Sequence, residues 1–177
     1  MTLIREATNL DRDNIREVHM HAFDKDEAKS VATLASNLLN EETSPNTLTK
    51  VAVIDGTVVG HIAFSPVTIN SSKKLKGYIL APLGVMPEYQ KRRIGSKLIE
   101  NGIELLSREG ANLLFVYGDP NYYSKFGFNE KTAARYLPPY KLQYPFGWLA
   151  LALDKEGSAE RTVKVSCVTS LCDPSLW

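Results

Sequence analysis

The segment "MPEYQKRRIGSKL", residues 86–98, decides how the rest of the chain is interpreted. It places three cations at residues 91–93, followed by Ile94 and then by Gly95 and Ser96, where an apolar helical pattern begins. The first N–H groups of a helix have no intrahelical partner, and the helix dipole makes that end positive. Gly95 allows close backbone approach, and Ser96 adds a hydroxyl donor. The segment fits a pyrophosphate-binding helix start or a solvated charged turn, and its spacing alone does not choose between them.

The patterns around this segment predict a mixed α/β fold. "YILAPLGVMP" (78–87) is typical of a strand interrupted by Pro82 and Gly84,. Helical spacing then runs from about Arg93 to Arg108, and "NLLFVYG" (112–118) is typical of a strand buried on both faces,. Further elements are expected as a strand at 2–8, a helix beyond Asn9 or Asp11, a helix near 26–40, a hairpin at 51–64, a short helix within 119–128, and strands within 137–153 and 162–168. This order favours a mixed sheet with helices on its faces.

Composition limits the possible classes of protein. A chain of 177 residues with 44% apolar side chains favours a single domain over 1–177, with 154–177 as a C-terminal extension,. The net charge of +1 argues against a dedicated nucleic-acid binder,. No apolar stretch approaches the roughly 20 residues of a membrane helix, and the N-terminus is charged too early for a signal peptide. We therefore expect a cytoplasmic protein without membrane or nucleic-acid partners.

The metal-ligating residue types are sparse. Cys167 and Cys172 are the two cysteines, and neither has a partner at metal-site spacing,. His19, His21 and His61 show no zinc-type spacing with them,. The sequence predicts no metal site.

Several motifs together resemble the GNAT superfamily of N-acetyltransferases. "VMPEYQKRRIGSKLIENGI" is similar to the family's cofactor motif, a Gln/Arg-x-x-Gly-x-Gly/Ala loop that leads into a helix. "NYYSKFGF" (121–128) resembles a downstream Phe-Tyr-x-x-x-Gly-Phe motif. "GHIAFSPV", "GDPNYYSKFGF" and "YPFGWLAL" are similar to its YhbS-like bacterial branch. The resemblance covers about residues 2–153, and its strength lies in the combination of motifs.

The resemblance implies an acyl-CoA N-acyltransferase fold with splayed central strands and acetyl-CoA (coenzyme A) as acyl donor. The acetyl group would pass directly to a primary amine in a ternary complex. The fourth strand would pair with the acyl arm, and the loop and helix start would bind the pyrophosphate. The residues that match these positions are Leu83, Gly84, Val85, Gln90, Lys91, Arg92, Arg93, Ile94, Gly95 and Ser96, with Asn121 and Tyr123 from the downstream motif. The resemblance also implies Tyr123 as the general acid for thiolate departure, since a phenol with a pKa of about 10 is protonated at neutral pH.

The chain departs from the family at two positions. Arg93 stands where the motif has its first glycine, so its side chain could narrow the pyrophosphate turn, or it could point away and pair with a phosphate. Many relatives carry a glutamate base on the fourth strand, but residues 77–85 contain no carboxylate. His61 is a candidate base, although a single strand histidine is more often structural. Water, or an amine that is already partly neutral, is the alternative.

The sequence does not identify the amine that accepts the acetyl group. The expected partner is a small-molecule or peptide amine. An aromatic group on the acceptor side, Tyr136, Tyr140, Tyr144 and Trp148, could form a substrate wall, a homodimer contact or ordinary packing,. A catalytically silent acyl-CoA-binding or interaction module on the same fold is the alternative function.

Overall fold

The structure is a computed structural model that describes all 177 residues. Its helices and strands follow the predicted order closely. They are β1 (Leu3–Glu6), α1 (Arg12–Ala22), α2 (Lys25–Asn40), β2 (Leu48–Ile54), β3 (Thr57–Ile69), β4 (Gly77–Val85), α3 (Ile94–Arg108), β5 (Leu113–Tyr117), α4 (Pro120–Tyr123), α5 (Glu130–Ala133), β6 (Tyr136–Leu137), β7 (Trp148–Ala152) and β8 (Val163–Ser166).

The eight strands form a mixed sheet, which confirms the predicted fold class. Its main path has the order β1-β2-β3-β4-β5-β7, and β8 pairs with β3 and β6. The β1–β2, β2–β3 and β5–β7 pairs are antiparallel, whereas β4 and β5 are parallel. The parallel ladder of β4 and β5 ends at Leu80 and Val116, and β4 continues beyond it to Val85. By contact density the chain divides into two compact units, which β3 and β4 both traverse.

The first unit comprises Met1–Phe64 and Ala81–Glu104. The hairpin of β2 and β3 turns at Asp55 and Gly56, whose φ angles are 47° and 78°. Both angles lie in the left-handed region that a type I′ turn requires, as the Asp-Gly pair predicted. Helices α1 and α2 pack on this hairpin. Their buried apolar side chains form one cluster with those of β2 and β3, which includes Ile15, Val18, Ala35, Val51 and Val58.

Helix α3 packs against β3 at close range. A side chain at Gly102 would place its Cβ 2.2 Å from Cε2 of Phe64. A side chain at Gly60 would meet Ile94 and Leu98, each at 3.2 Å. Two glycines, one on each element, therefore let the helix approach the strand and fix the position of the α3 N-terminus.

The second unit comprises Ser65–Leu80 and Leu105–Trp177. Residues 113–116 of β5 are fully buried, which confirms the prediction of a strand covered on both faces. The ring of Phe115 stacks on Trp148 with centroids 5.2 Å apart, and Trp148 Nε1 donates to Tyr136 O over 2.7 Å. This aromatic core fixes the position of the chain segment that follows β5.

Candidate active site

The N-terminus of α3 presents free donors beside exposed cations. The first bond of the helix runs from Lys97 N–H to Arg93 O, over 3.0 Å. The N–H groups of residues 94–96 therefore have no intrahelical acceptor. Lys91, Arg92 and Arg93 are all exposed at this end of the helix. Free N–H groups, the positive end of the dipole and three cations together make this end of the helix electrostatically favourable for a polyanion.

Two residues of the loop before α3 have a left-handed backbone, and one of them is Arg93. Lys91 and Arg93 both have φ near 61°, a left-handed conformation that costs a non-glycine residue roughly 1–2 kcal/mol,. The Arg93 side chain extends along the helix, with Nη2 3.5 Å from Oε1 of Glu100. Of the two possibilities for this side chain, pointing away from the turn is therefore the one observed.

The end of β4 is tied to the loop that follows it. Gln90 Nε2 donates to Val85 O over 3.1 Å, and Met86 N–H donates to Val59 O on β3 over 2.8 Å. Leu83 and Val85 are half-buried, whereas Gly84 between them is buried. Alternation along β4 therefore directs positions 83 and 85 to one face and position 84 to the other.

Two buried histidines occupy the Gly84 face. His19 Nε2 lies 2.8 Å from His61 Nδ1, and both side chains are fully buried. A Cβ on Gly84 would lie 2.7 Å from His19 Nδ1, so the imidazole fills the space that a β4 side chain would take. The outer nitrogens, His19 Nδ1 and His61 Nε2, have no hydrogen-bond partner. Each unsatisfied buried polar atom costs about 1–3 kcal/mol, so the fold tolerates a considerable penalty here.

Burial keeps both histidines neutral near pH 7. Desolvation lowers the pKa of His19 to about 4. It also lowers the pKa of His61 well below its usual range, with a further contribution from His19, while the charge of Asp11 acts in the opposite direction. Asp11 itself is held ionised mainly by Arg5, whose two guanidinium nitrogens donate to its carboxylate at 2.7 and 2.8 Å.

In the second unit, α4 folds back over the end of β5. The side chain of Asp119 accepts from Asn121 N–H over 2.9 Å, which confirms Asp119 as the cap of this short helix. A Cβ on Gly118 would lie 2.5 Å from the Tyr123 ring, so the glycine lets that ring pack on the strand end. Tyr123 also contacts Tyr122 and Phe128, with centroids 5.0 and 5.8 Å away. Asn121 is exposed.

The phenol of Tyr123 is more weakly acidic than the sequence suggested. Burial, with a smaller contribution from Tyr122, raises its pKa well above 10. A thiol has a pKa near 8.5, so full proton transfer from this phenol to a thiolate is uphill. The protonated hydroxyl is suited to donating a hydrogen bond to an anion.

The predicted aromatic group separates into core and surface. Tyr136 and Trp148 are buried, and Tyr136 Oη donates to Gly157 O over 3.0 Å, so ordinary packing is confirmed for these two. Tyr144 is 52% exposed and its ring contacts Phe146, which is 56% exposed. Tyr144 is therefore the exposed member of the predicted group, whereas Tyr140 is half-buried with its ring centroid 6.1 Å from that of Trp177.

The structure groups the predicted site residues by unit. His61, the 83–85 stretch of β4 and the 90–96 loop belong to the first, and Asn121 and Tyr123 belong to the second. Sequence reasoning missed His19 as a partner of His61. One signal was available, because His19 lies on the apolar face of α1 with Ile15 and Val18, where a polar residue needs an explanation,.

Comparison with known proteins identifies the family to which this fold belongs. Residues 11–128 match the Acetyltransferase (GNAT) family. The uncharacterized N-acetyltransferase YjhQ of Escherichia coli (strain K12) is 37% identical over 134 residues, which cover 75% of this chain and 72% of YjhQ. The uncharacterized N-acetyltransferase YhbS of the same strain is 34% identical over 128 residues, which cover 71% and 72%.

Two solved structures extend the match to nearly the whole chain. The GNAT family N-acetyltransferase YhbS from Escherichia coli, crystallised in complex with CoA, superposes with a TM-score of 0.84 and 25% identity over 97% of this chain and 92% of that one. A GNAT family acetyltransferase from Brucella melitensis in complex with acetyl-CoA gives 0.69 and 30% identity over 96% and 97%. The chain belongs to the GNAT acetyltransferase family. None of its helices combines the length and apolar character needed to cross a membrane.

Proposed function

We propose that this protein is an N-acetyltransferase that moves the acetyl group of acetyl-CoA directly to a primary amine. The single observation that carries the proposal is the start of α3, where free N–H groups lie beside three exposed cations. Solved relatives in the same family include complexes with CoA and acetyl-CoA. Acetyl-CoA supplies an activated thioester, and the protein supplies binding, orientation and electrostatic stabilisation.

The residues of the 90–96 loop fit a pyrophosphate. The N–H groups of residues 94–96 would donate to phosphate oxygens, and Ser96 would add its hydroxyl. Lys91 and Arg92 are exposed and lack a carboxylate partner within ion-pair distance, so their charges are available to an anion. The Arg93 side chain is paired in part with Glu100, so this residue would contribute to the loop mainly through its left-handed backbone conformation.

The end of β4 would hold the acyl arm. Residues 83–85 continue beyond the ladder with β5, and backbone groups of such a stretch can bind an extended ligand as an added strand would,. A backbone N–H near Val85 would stabilise the negative charge that develops on the thioester oxygen. Tyr123 would stabilise the departing thiolate by donating a hydrogen bond from its protonated hydroxyl.

The direct test is a panel of primary amines incubated with acetyl-CoA. We suggest spermidine, phenethylamine and a short peptide with a free amino terminus, with release of free thiol and acetylation of the amine both measured. The expected result is stoichiometric thiol and acetylated product for at least one amine. CoA binding without transfer to any amine would contradict this function and favour the silent acyl-CoA-binding module. A cytoplasmic location, a single domain over 1–177, and homodimer formation stay predictions.

A further inference from the structure

The buried histidine pair has an unusual hydrogen-bonding balance. Two neutral imidazoles contain two N–H groups and two lone pairs, and the contact between His19 Nε2 and His61 Nδ1 uses one of each,. One outer nitrogen therefore carries a proton and the other carries a lone pair, whichever tautomers are present. Both outer nitrogens are buried and have no partner in the protein. Both outer nitrogens are therefore left available to exchange a proton or to bond a group from outside the protein.

We propose that His19 and His61 form a proton relay for the acceptor amine, with His19 Nδ1 as the entry. This inference rests on the proposed acetyl transfer and supplies the base that β4 lacks. Gly84 places no side chain between β4 and His19, and the imidazole contacts the strand where one would stand. That strand is the proposed site of the acyl arm.

The reaction balances as follows. The amine nitrogen forms a bond to the acetyl carbon, the carbon–sulfur bond breaks, and its electron pair leaves with the thiolate. The nitrogen becomes far more acidic as its bond to carbon forms, and its proton passes to His19 Nδ1. In the same step the Nε2 proton of His19 moves to His61 Nδ1, and the buried His61 Nε2 passes its own proton to a water molecule. The thiolate takes a proton from solvent, so no net charge accumulates.

The surroundings of the two histidines favour passing a proton on over keeping it bound. Burial disfavours the charged form of both rings, so neither holds a second proton at neutral pH. The carboxylate of Asp11 favours positive charge on His61, but this contribution is smaller than the effect of burial and does not leave His61 charged. After the transfer both tautomers are exchanged. They are restored when His61 Nε2 takes a proton from water, the Nδ1 proton of His61 returns to His19 Nε2, and His19 Nδ1 gives up its proton to water.

Two substitutions separate the relay from a structural role. Glutamine places its terminal amide near the position of a histidine Nε2, so His19→Gln keeps the contact with His61 and removes Nδ1. Asparagine resembles the Nδ1 side, so His61→Asn keeps the contact with His19 and removes Nε2. The matched control is His21→Gln, the same change at an exposed histidine of α1.

The measurement is the single-turnover rate of acetyl transfer to the panel amine that the wild type acetylates fastest. We expect His19→Gln and His61→Asn each to lose about 100-fold or more, with CoA affinity unchanged and His21→Gln equal to wild type. The wild-type rate should depend non-linearly on the deuterium fraction of the solvent, because more than one proton moves.

Three results would each overturn the relay without affecting the proposed acetyl transfer. They are wild-type rates in both variants, a rate that depends linearly on the deuterium fraction, and a loss of rate matched by a loss of CoA affinity. A wild type that acetylates no amine of the panel would overturn the proposed function, and the relay with it.

Discussion

At the scale of single residues, the histidine pair links stability to pH. The pKa of His19 is about 4 in the folded protein and about 6.5 in an unfolded chain,. Above pH 6.5 both states are neutral and the histidine has no effect on the pH dependence. Between pH 6.5 and 4 the unfolded chain binds a proton that the folded protein excludes, so the free energy of unfolding falls as pH falls.

We therefore predict that the protein loses stability between pH 6.5 and 4, by an amount on the order of 3 kcal/mol from His19 alone. Urea unfolding at several pH values measures this dependence. A double variant, His19→Gln with His61→Asn, should have a much flatter profile over the same window. Asp11 does not affect the measurement in this window. Its pKa is about 2 in the folded protein, so the stability that its ionised carboxylate contributes is lost only below about pH 4,. An unchanged profile in the double variant would contradict the assigned protonation states.

Tyr123 gives a second prediction at this scale. Tyr123→Phe removes only the hydroxyl, so packing on Gly118 and CoA affinity should be retained. The single-turnover rate should fall by roughly 10²–10³-fold, the range for removing one hydrogen-bond donor that stabilises a developing negative charge. Single-turnover rates are required because slow product release can mask the loss at saturating substrate.

Tyr122→Phe is the matched control for this experiment, since the neighbouring ring loses the same atom. It should transfer acetyl groups at nearly the wild-type rate. If Tyr123→Phe is equally fast in a single turnover, Tyr123 serves packing alone.

At the scale of elements, the contact between α3 and β3 positions the proposed anion site. Glycine to alanine inside a helix normally stabilises a protein by about 1 kcal/mol. At Gly102 the added Cβ would come within 2.2 Å of Phe64, and overpacking of this kind costs about 1–3 kcal/mol,. We predict that Gly102→Ala lowers the free energy of unfolding, against the usual direction.

A double-mutant cycle checks this explanation. Phe64→Leu shortens the opposing ring, so the double variant should be more stable than the sum of the two single effects. Ser107→Ala, an exposed change on the same helix, should be neutral or slightly stabilising,. A Gly102→Ala protein more stable than wild type would show that the helix is free to move away from the strand.

The sequence predicted these elements well because their signals are local. The Asp55-Gly56 turn, the apolar run of β5 and the helical spacing of α3 each depend on neighbouring residues alone. The backbone at Arg93 was not predictable in the same way. Its side chain points along α3 because Glu100 lies two turns further on, a contact that the loop motif does not contain.

At the scale of the whole molecule, the family was recognisable from its motifs, but the histidine pair was not. His19 and His61 are separated by 42 positions, and only the packing of α1 on the sheet brings them together. The empty Cβ position at Gly84 is also a property of the fold. Sequence reasoning therefore proposed the 90–96 loop and one member of the pair, and it missed the contact between His19 and His61.

The most direct test of the account is a CoA titration of three proteins by calorimetry. The wild type is compared with Gly95→Val, which places a β-branched side chain in the first turn of α3, and with Ser107→Val, which introduces the same side chain at an exposed site far along that helix. We predict that Gly95→Val loses about tenfold or more in affinity, roughly 1.4 kcal/mol, while Ser107→Val binds as the wild type does. Equal affinity in the wild type and Gly95→Val would contradict the claim that the start of α3 binds the cofactor.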